Sequence, residues 1–153
     1  MTVKELKRKL DSIILDTVNK TLTTEIGKQV VKQVRNRTQR GYGVAENNGK
    51  QQRLKPLKPA TKAIRKGLAG KGQLSPNTSP GKSNLTRSGK MLNNINYTAS
   101  ENKVVVSVKG AQKIKAMDVS KERPFMNLSK TEINAVTKTV KEAIVNDIKK
   151  KGL

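Results

Sequence analysis

Apolar residues recur at three- and four-residue steps through the first 37 residues, and this stripe constrains the fold more than any other feature. The stripe consists of Leu6, Leu10, Ile13, Ile14, Val18, Leu22, Ile26, Val30 and Val34. Such spacing predicts one long amphipathic helix over residues 3–37. At about 1.5 Å per residue that helix would be about 50 Å long, so it needs several packing partners. Gly27 is the expected position of a kink or an interruption.

A second amphipathic helix is predicted near the other end of the chain. Ser129 and Glu132 fit the S-x-x-E capping box, in which each side chain binds a free backbone N–H of the other residue. Apolar residues then recur at helical spacing at Ile133, Val136, Val140, Ile144 and Ile148. Lysines at 149–151 complement the negative end of the helix dipole.

Between the two helices, the pattern changes to one typical of β-structure. Residues 95–99 and 104–108 read as two strands joined by the polar turn 100–103, which predicts a β-hairpin. A short helix capped by Thr86 or Ser88 precedes it, and a third short strand near 114–119 is a further possibility. The expected fold is therefore α+β: a long N-terminal helix and a capped C-terminal helix packed on a small antiparallel sheet with a hairpin.

The chain reads as a single domain, 1–153, in which residues 38–84 form a basic loop region and 85–153 hold the short helix, the hairpin and the last helix. Residues 40–50 are loop-like, with three glycines and two adjacent asparagines. Pro56 and Pro59 exclude helix before Ala60 and leave a short helical turn over 61–66. Glycine, proline and serine dominate residues 67–84, so this segment is expected to be flexible, with few contacts inside its own subunit.

Positive charge is unevenly distributed along the chain. The net charge is +22, and no acidic residue occurs between Asn47 and Ser100. Basic residues in that interval are Lys50, Arg53, Lys55, Lys58, Lys62, Arg65, Lys66, Lys71, Lys82, Arg87 and Lys90. Such a segment is expected to attract phosphate backbones or an acidic protein, although a purely solvated surface is the alternative. The predicted contact residues are Arg53, Lys55, Lys58, Lys62, Arg65 and Lys66.

The residues available for catalysis are few. Cysteine and histidine are absent, which excludes a thiolate nucleophile, a disulfide and an imidazole base or metal ligand. The fragment PGKS resembles the end of a phosphate-binding loop, but Pro76 stands where the first glycine is required. No paired carboxylates are evident among the acidic residues. We therefore expect no enzyme activity, cofactor or metal.

The apolar residues of the chain indicate neither a membrane span nor a signal peptide, and they predict a small core. No apolar run approaches the roughly 20 residues of a membrane span, and MTVKELKRKL lacks the apolar region of a signal peptide. We expect a soluble protein made in a cytoplasm, without a membrane partner. The only aromatic residues are Phe125, Tyr42 and Tyr97, which predicts a thin aliphatic core that partner subunits complete.

Three short motifs, in order, carry a resemblance to a known family. LKPLKPATKAIRK is similar to an aromatic-x-P-L-[ST]-x-x-T block with a basic tail, although Leu54 replaces the aromatic residue and Lys58 also departs from the pattern. Residues 85–95, LTRSGKMLNNI, resemble L-x-x-[ST]-G-x-L followed by a polar pair and isoleucine, with Met91 where the pattern has its second leucine and Leu92 beside it. Residues 123–129, RPFMNLS, fit R-P-F-[LM]-x-[LF]-[ST]. The matching residues we single out as structural are Pro56, Leu57, Thr61, Leu85, Ser88, Gly89, Leu92, Arg123, Pro124 and Phe125.

In this respect the chain resembles tailed-phage virion morphogenesis proteins, also called tail completion or neck proteins. The segment between the hairpin and the RPF block is shorter here than is usual in that family. The resemblance implies a homo-oligomeric ring in the head-tail neck, between connector or portal-side proteins and tail proteins. It would be assembled in the bacterial host cytoplasm and carried in the virion.

Two uses of the basic segment are compatible with this role: facing double-stranded DNA in the channel, or docking on an acidic ring. The alternative function is a basic nucleic-acid-binding protein of histone-like or ribosomal type. The scarcity of stacking aromatics and the lack of a recognisable reading helix weigh against that alternative.

Overall fold

A computed structural model describes residues 3–46, 48–76 and 78–151 of the chain. Its fold is α+β, as predicted, with helices packed around two small antiparallel β-ribbons. The helices are α1 (Val3–Thr17), α2 (Lys20–Gln39), α3 (Pro59–Gly70), α4 (Lys90–Asn93), α5 (Gln112–Glu122) and α6 (Lys130–Lys150). The strands are β1 (Tyr42–Val44), β2 (Gln51–Arg53), β3 (Ile95–Ala99) and β4 (Val104–Val108). Because α2 contacts β1, β3, β4 and α6, it is the central element.

The predicted helix over residues 3–37 is divided in two, and the division lies at Val18 and Asn19 rather than at Gly27. Asn19 has an extended backbone, and its side chain accepts hydrogen bonds from the N–H groups of Thr21 and Leu22 at 2.9 and 3.2 Å. It is therefore the N-cap of α2, and this capping favours a new helix start over continuation of α1. Gly27 lies inside α2 without interrupting it.

Gly27 allows α2 and β3 to approach each other closely. A Cβ atom at this position would overlap the ring of Tyr97, so only glycine fits without displacement of the ring. The β-hairpin that carries Tyr97 was predicted correctly. Strand β3 pairs antiparallel with β4, with Ile95 opposite Val108 and Ala99 opposite Val104. Ile95 and Val108 are buried against α2, whereas Val105, on the opposite face of β4, is exposed.

The core is mainly aliphatic, as expected, and Phe125 is a fully buried member of it. The buried cluster contains Val30, Val31, Val34, Met91, Leu92, Ile95, Val108, Ala116 and Phe125. Helix α1 lies outside this cluster and packs on α6, where the Thr17 hydroxyl donates to Asp147 at 2.9 Å and Lys151 pairs with Asp16 at 2.8 Å. Large apolar side chains such as Val3 and Leu15 remain exposed on α1.

Two segments between α2 and α6 differ from the sequence-based expectation. Residues 114–119, considered as a strand, are part of helix α5. Their apolar and polar residues do not alternate strictly, as those of a half-buried strand would. Ala116 lies on the face of α5 that packs into the core. Residues 40–50, expected to be loop, contain strand β1 and lead to β2. Tyr42 pairs with Arg53 and Val44 with Gln51 in that ribbon. Strands of three residues are too short to produce a periodic pattern.

Helices α3 and α4 also differ from the prediction, α3 in its bounds and α4 in its cap. Helix α3 extends from Pro59 to Gly70, well beyond the expected turn over 61–66. It starts at Pro59 because proline is well suited to the first helical position. Neither Thr86 nor Ser88 caps α4: its N-cap is Gly89, in the left-handed conformation with φ of 72°. The capping box of α6 is present as predicted, with Ser129 and Glu132 bonded in both directions.

The described residues of 71–84 make more contacts within the subunit than expected, so that part of the prediction is wrong. The Ser83 hydroxyl donates to the carbonyl of Lys55. Asn84 is fully buried, and its side-chain amide donates to the carbonyl of Gln39 at 3.1 Å. Polar side chains that bond distant backbone groups therefore anchor the segment. Its flexibility stays a prediction.

Candidate binding surface

Five of the six predicted contact residues have exposed side chains. Arg53 ends strand β2, and Lys55 and Lys58 lie in the connection from β2 to α3. Lys62 and Lys66 are four residues apart on α3, which places them on the same face of that helix. These five cations are available to a partner.

Arg65 departs from the prediction because it is buried, with only 4% of its surface exposed. Its guanidinium donates from Nη1 to the Lys82 carbonyl at 2.7 Å, the Thr78 hydroxyl at 3.3 Å and the Ser79 carbonyl at 3.4 Å. Arg65 therefore connects α3 to the 78–82 segment and does not reach a partner. The contact set is corrected to the other five residues.

The interior position of Arg65 has an electrostatic consequence. Burial lowers the pKa of its guanidinium, and repulsion from Arg87 and then from Arg123 lowers it further. Arginine nevertheless remains charged at physiological pH, since its ordinary pKa lies far above that pH. A positive charge thus lies beneath a surface that is itself positive.

No acidic side chain is paired with this surface among the ion pairs of the described residues. Those pairs are Arg37–Glu132, Lys121–Asp118, Lys138–Glu142, Lys150–Asp147 and Lys151–Asp16. All of them lie outside residues 50–90. The basic segment is uncompensated in three dimensions as well as in sequence, which strengthens its attraction for anionic groups.

Two surface clefts that the sequence did not indicate lie beside this segment. One, of about 740 Å³, separates the end of α2 from Pro76 and residues 78–82. The other, of about 470 Å³, separates the β1–β2 ribbon from residues 81–83. Arg40 and Lys82 border both clefts, and Arg53 borders the second. We call the pair the Arg40–Lys82 cleft. Because its walls are distant in sequence, no motif spacing could have found it.

The motif residues of the first and third blocks meet at one place. Arg123 donates from its guanidinium to the carbonyls of Lys55 and Pro56, each at 3.3 Å. The carbonyl of Pro124 accepts from the N–H of Val44 at 3.0 Å, beside strand β1. Leu57 is buried, whereas Pro56 is exposed and Thr61 is half-buried.

The second block meets the third in the core. Leu92 and Phe125 are fully buried members of the same cluster, and the half-buried Leu85 packs against it. Gly89 is also buried, and its positive φ is a conformation that glycine adopts readily. Ser88 is exposed. The motif residues are therefore mainly packing and turn positions, as their chemistry suggested.

A buried ion pair between Arg37 and Glu132 was not anticipated from the sequence. Arg37 lies on α2, and its guanidinium also donates to the carbonyls of Phe125 and Asn127, the latter at 2.9 Å. Burial lowers the pKa of Arg37, and the nearby Glu132 carboxylate opposes that shift. The pair joins the RPF block and the start of α6 to the central helix.

The described residues contain no cluster of three or more acidic side chains that could hold a metal ion. Among the helices of that part of the chain, none is both long and apolar enough to cross a membrane. Comparison with protein-family models gives no match, and neither curated proteins nor solved structures give one.

Proposed function

We propose that the chain is a structural subunit of the tailed-phage head-tail neck, forming a ring between the portal-side connector and the tail around the DNA channel. The observation that carries the proposal is the convergence of the three motif blocks, which are separated in sequence, on one framework. The contacts of Arg123 tie the third block to the first, and the packing of Phe125 with Leu92 ties the third block to the second.

Exposed apolar surface on several elements supports an assembly. Large apolar side chains that remain exposed are Val3, Leu6, Ile14 and Leu15 on α1, Ile64 on α3, Val105 on β4, Ile114 and Met117 on α5, and Ile133 and Val145 on α6. Scattered exposure is normal for single residues, but here helices at both ends of the chain have half-covered apolar stripes. Neighbouring copies in a ring would cover these stripes.

In this role the protein makes and breaks no bond. The ring joins two assemblies, and its basic surface faces DNA in the channel or an acidic neighbouring ring. A positive surface facing DNA would hold the duplex by attraction that does not depend on sequence.

A second candidate function, a basic nucleic-acid-binding protein of histone-like or ribosomal type, is favoured by one observation. The cations of residues 50–90 have no acidic partner among the ion pairs of the described chain. Such a protein would act as a monomer or dimer through phosphate contacts.

Electron microscopy and light scattering of the purified protein distinguish the two functions. The neck proposal expects ring-shaped particles of uniform copy number, and addition of portal-side or tail proteins should promote them. The second candidate expects a monomer or dimer that binds duplex DNA tightly at low salt and forms no ring with those proteins. The latter result would overturn the neck proposal.

A further inference from the structure

The Arg40–Lys82 cleft has the charge and hydrogen-bonding groups of a phosphate site. Arg40, Arg53 and Lys82 border it with exposed side chains, and no acidic residue lines either part. Neutral hydrogen-bonding groups complete the walls of the larger part, including Asn36, Gln39 and Ser79. Arginine, lysine, serine, threonine, asparagine and glutamine are the side chains that most often bind phosphate oxygens.

Internal hydrogen bonds hold the walls of this cleft in place. Buried Arg65 donates to the Lys82 carbonyl at 2.7 Å, which fixes the backbone that carries the Lys82 side chain. Asn84 donates to the Gln39 carbonyl at 3.1 Å, which joins the same segment to the end of α2. A site whose walls are fixed before binding loses less conformational entropy when a ligand arrives.

The carboxyl end of α2 lies at this cleft, and helix carbonyls would repel an anion if they pointed at it freely. Within the chain, these carbonyls already have donors. The N–H of Arg40 bonds the Asn36 and Arg37 carbonyls at 3.2 and 3.1 Å, and the N–H of Gly41 bonds the Thr38 carbonyl at 2.9 Å. The exposed cations therefore dominate the field in the cleft.

We propose that the Arg40–Lys82 cleft binds the phosphodiester backbone of duplex DNA. An acidic protein partner is the less favoured occupant, because protein interfaces have an apolar core and the larger part of the cleft is lined mainly by polar and charged side chains. The site deepens the proposed function, and its assignment to DNA in the neck channel rests on that function. The cleft overlaps the basic run at 53–66 only at its edge, where Arg53 borders it, and Arg40 and Lys82 extend it beyond that run.

Salt-dependent binding of a labelled duplex tests the proposal with the full-length protein. Fluorescence anisotropy with a mixed-sequence duplex of about 30 base pairs gives the association constant between about 50 and about 200 mM KCl. The variant Arg40→Gln/Lys82→Gln is compared with Lys115→Gln/Lys141→Gln, which removes the same charge from exposed positions on α5 and α6. Circular dichroism confirms that each variant is folded.

Loss of two phosphate contacts should reduce the slope of log K against log salt by about 1.8. The ratio of wild-type to variant affinity should accordingly shrink about twelvefold across this fourfold salt range. The control pair should change the slope by less than half as much. If the double variant unfolds, Lys82→Gln alone should reduce the slope by about 0.9, since Lys82 enters the described hydrogen bonds only through its backbone.

Equal slopes for the two variant pairs would overturn the proposal, and so would binding of a polyglutamate peptide in preference to the duplex. The latter would indicate an acidic protein partner. Failure of this site is distinguishable from failure of the neck proposal. Rings without duplex binding would contradict only the site, whereas duplex binding through the cleft by a protein that forms no ring would contradict only the neck.

Discussion

Arg37 on α2 and Glu132 on α6 form an ion pair that is buried on both sides, with side-chain exposures of 1% and 7%. The same Glu132 carboxylate accepts from the backbone N–H and the hydroxyl of Ser129, at 2.7 and 2.8 Å. One carboxylate therefore completes the cap of α6 and neutralises the guanidinium inside the domain. This arrangement fixes the last helix on the central one.

Breaking that pair should be strongly destabilising. Glu132→Gln leaves the buried guanidinium of Arg37 without its counter-charge, and we expect a loss of about 3–5 kcal/mol in the free energy of unfolding. Arg37→Met should cost a similar amount, and the double variant should lose clearly less than the sum. Urea denaturation measures these values, with Lys138→Gln, which breaks the exposed pair to Glu142, as the control expected to change little. Strict additivity would contradict the coupling.

Replacing Gly27 with alanine should destabilise the protein, whereas the same replacement inside a helix usually stabilises it. Alanine normally stabilises a helix interior by about 0.5–1 kcal/mol relative to glycine. At Gly27 the added Cβ overlaps the Tyr97 ring, so we expect Gly27→Ala to destabilise by about 1–3 kcal/mol. Gly67 on α3 has open space around it, and Gly67→Ala is the matched control, expected to stabilise.

Repeating Gly27→Ala in a Tyr97→Ala variant tests whether the tyrosine ring causes the destabilisation. With the ring removed, Gly27→Ala should become stabilising by about 0.5–1 kcal/mol. Thermal or urea unfolding of the four proteins gives the comparison. A destabilising effect that persists without the ring would show that the close approach of α2 and β3 is not its cause.

The role of Arg65 can be measured by local proteolysis. Arg65→Met removes the donor to the Ser79 and Lys82 carbonyls, so the 78–82 segment should open more often. We expect faster trypsin cleavage after Lys82, followed by mass spectrometry. Lys66→Gln, which changes an exposed neighbour and also removes one trypsin site, should leave the rate after Lys82 unchanged. An equal increase in both variants would contradict an internal role for Arg65.

The exposed basic residues should contribute to association and little to folding. Replacing Lys58, Lys62 and Lys66 with glutamine removes three exposed charges that have no ion-pair partner in the described chain. We expect an unchanged unfolding midpoint and weaker, less salt-dependent association with DNA or with an acidic ring. Normal assembly, infectivity and salt dependence together would indicate that these lysines are only a solvated face.

The strongest local signals in the sequence predicted the hairpin and the start of α6 correctly. The hairpin followed from alternation over 95–99 and 104–108, and the capping box of α6 followed from Ser129 and Glu132, three residues apart. The division at Asn19 was missed because the apolar stripe continues through it. One capping side chain outweighed that periodicity.

The candidate site was less predictable because its determinants are contacts between distant residues. Arg65 looks like its neighbours in a basic run, yet it is buried against carbonyls 14 and 17 residues further along the chain. Arg37 pairs with Glu132, which lies 95 residues further along the chain. Arg40 and Lys82 become neighbours only because residues 78–83 lie against the end of α2. No spacing rule connects such positions.

The decisive experiment for the neck proposal is localisation of the chain in assembled particles. Under the neck proposal a tailed phage encodes the chain, and cryo-electron microscopy of its virions, together with gold labelling of a tagged copy, would show where the subunit resides. The neck proposal predicts a ring of this fold between the portal-side connector and the tail, with the exposed basic surface facing the channel or the adjoining ring. Absence from mature particles, or a location away from the head-tail joint, would contradict it.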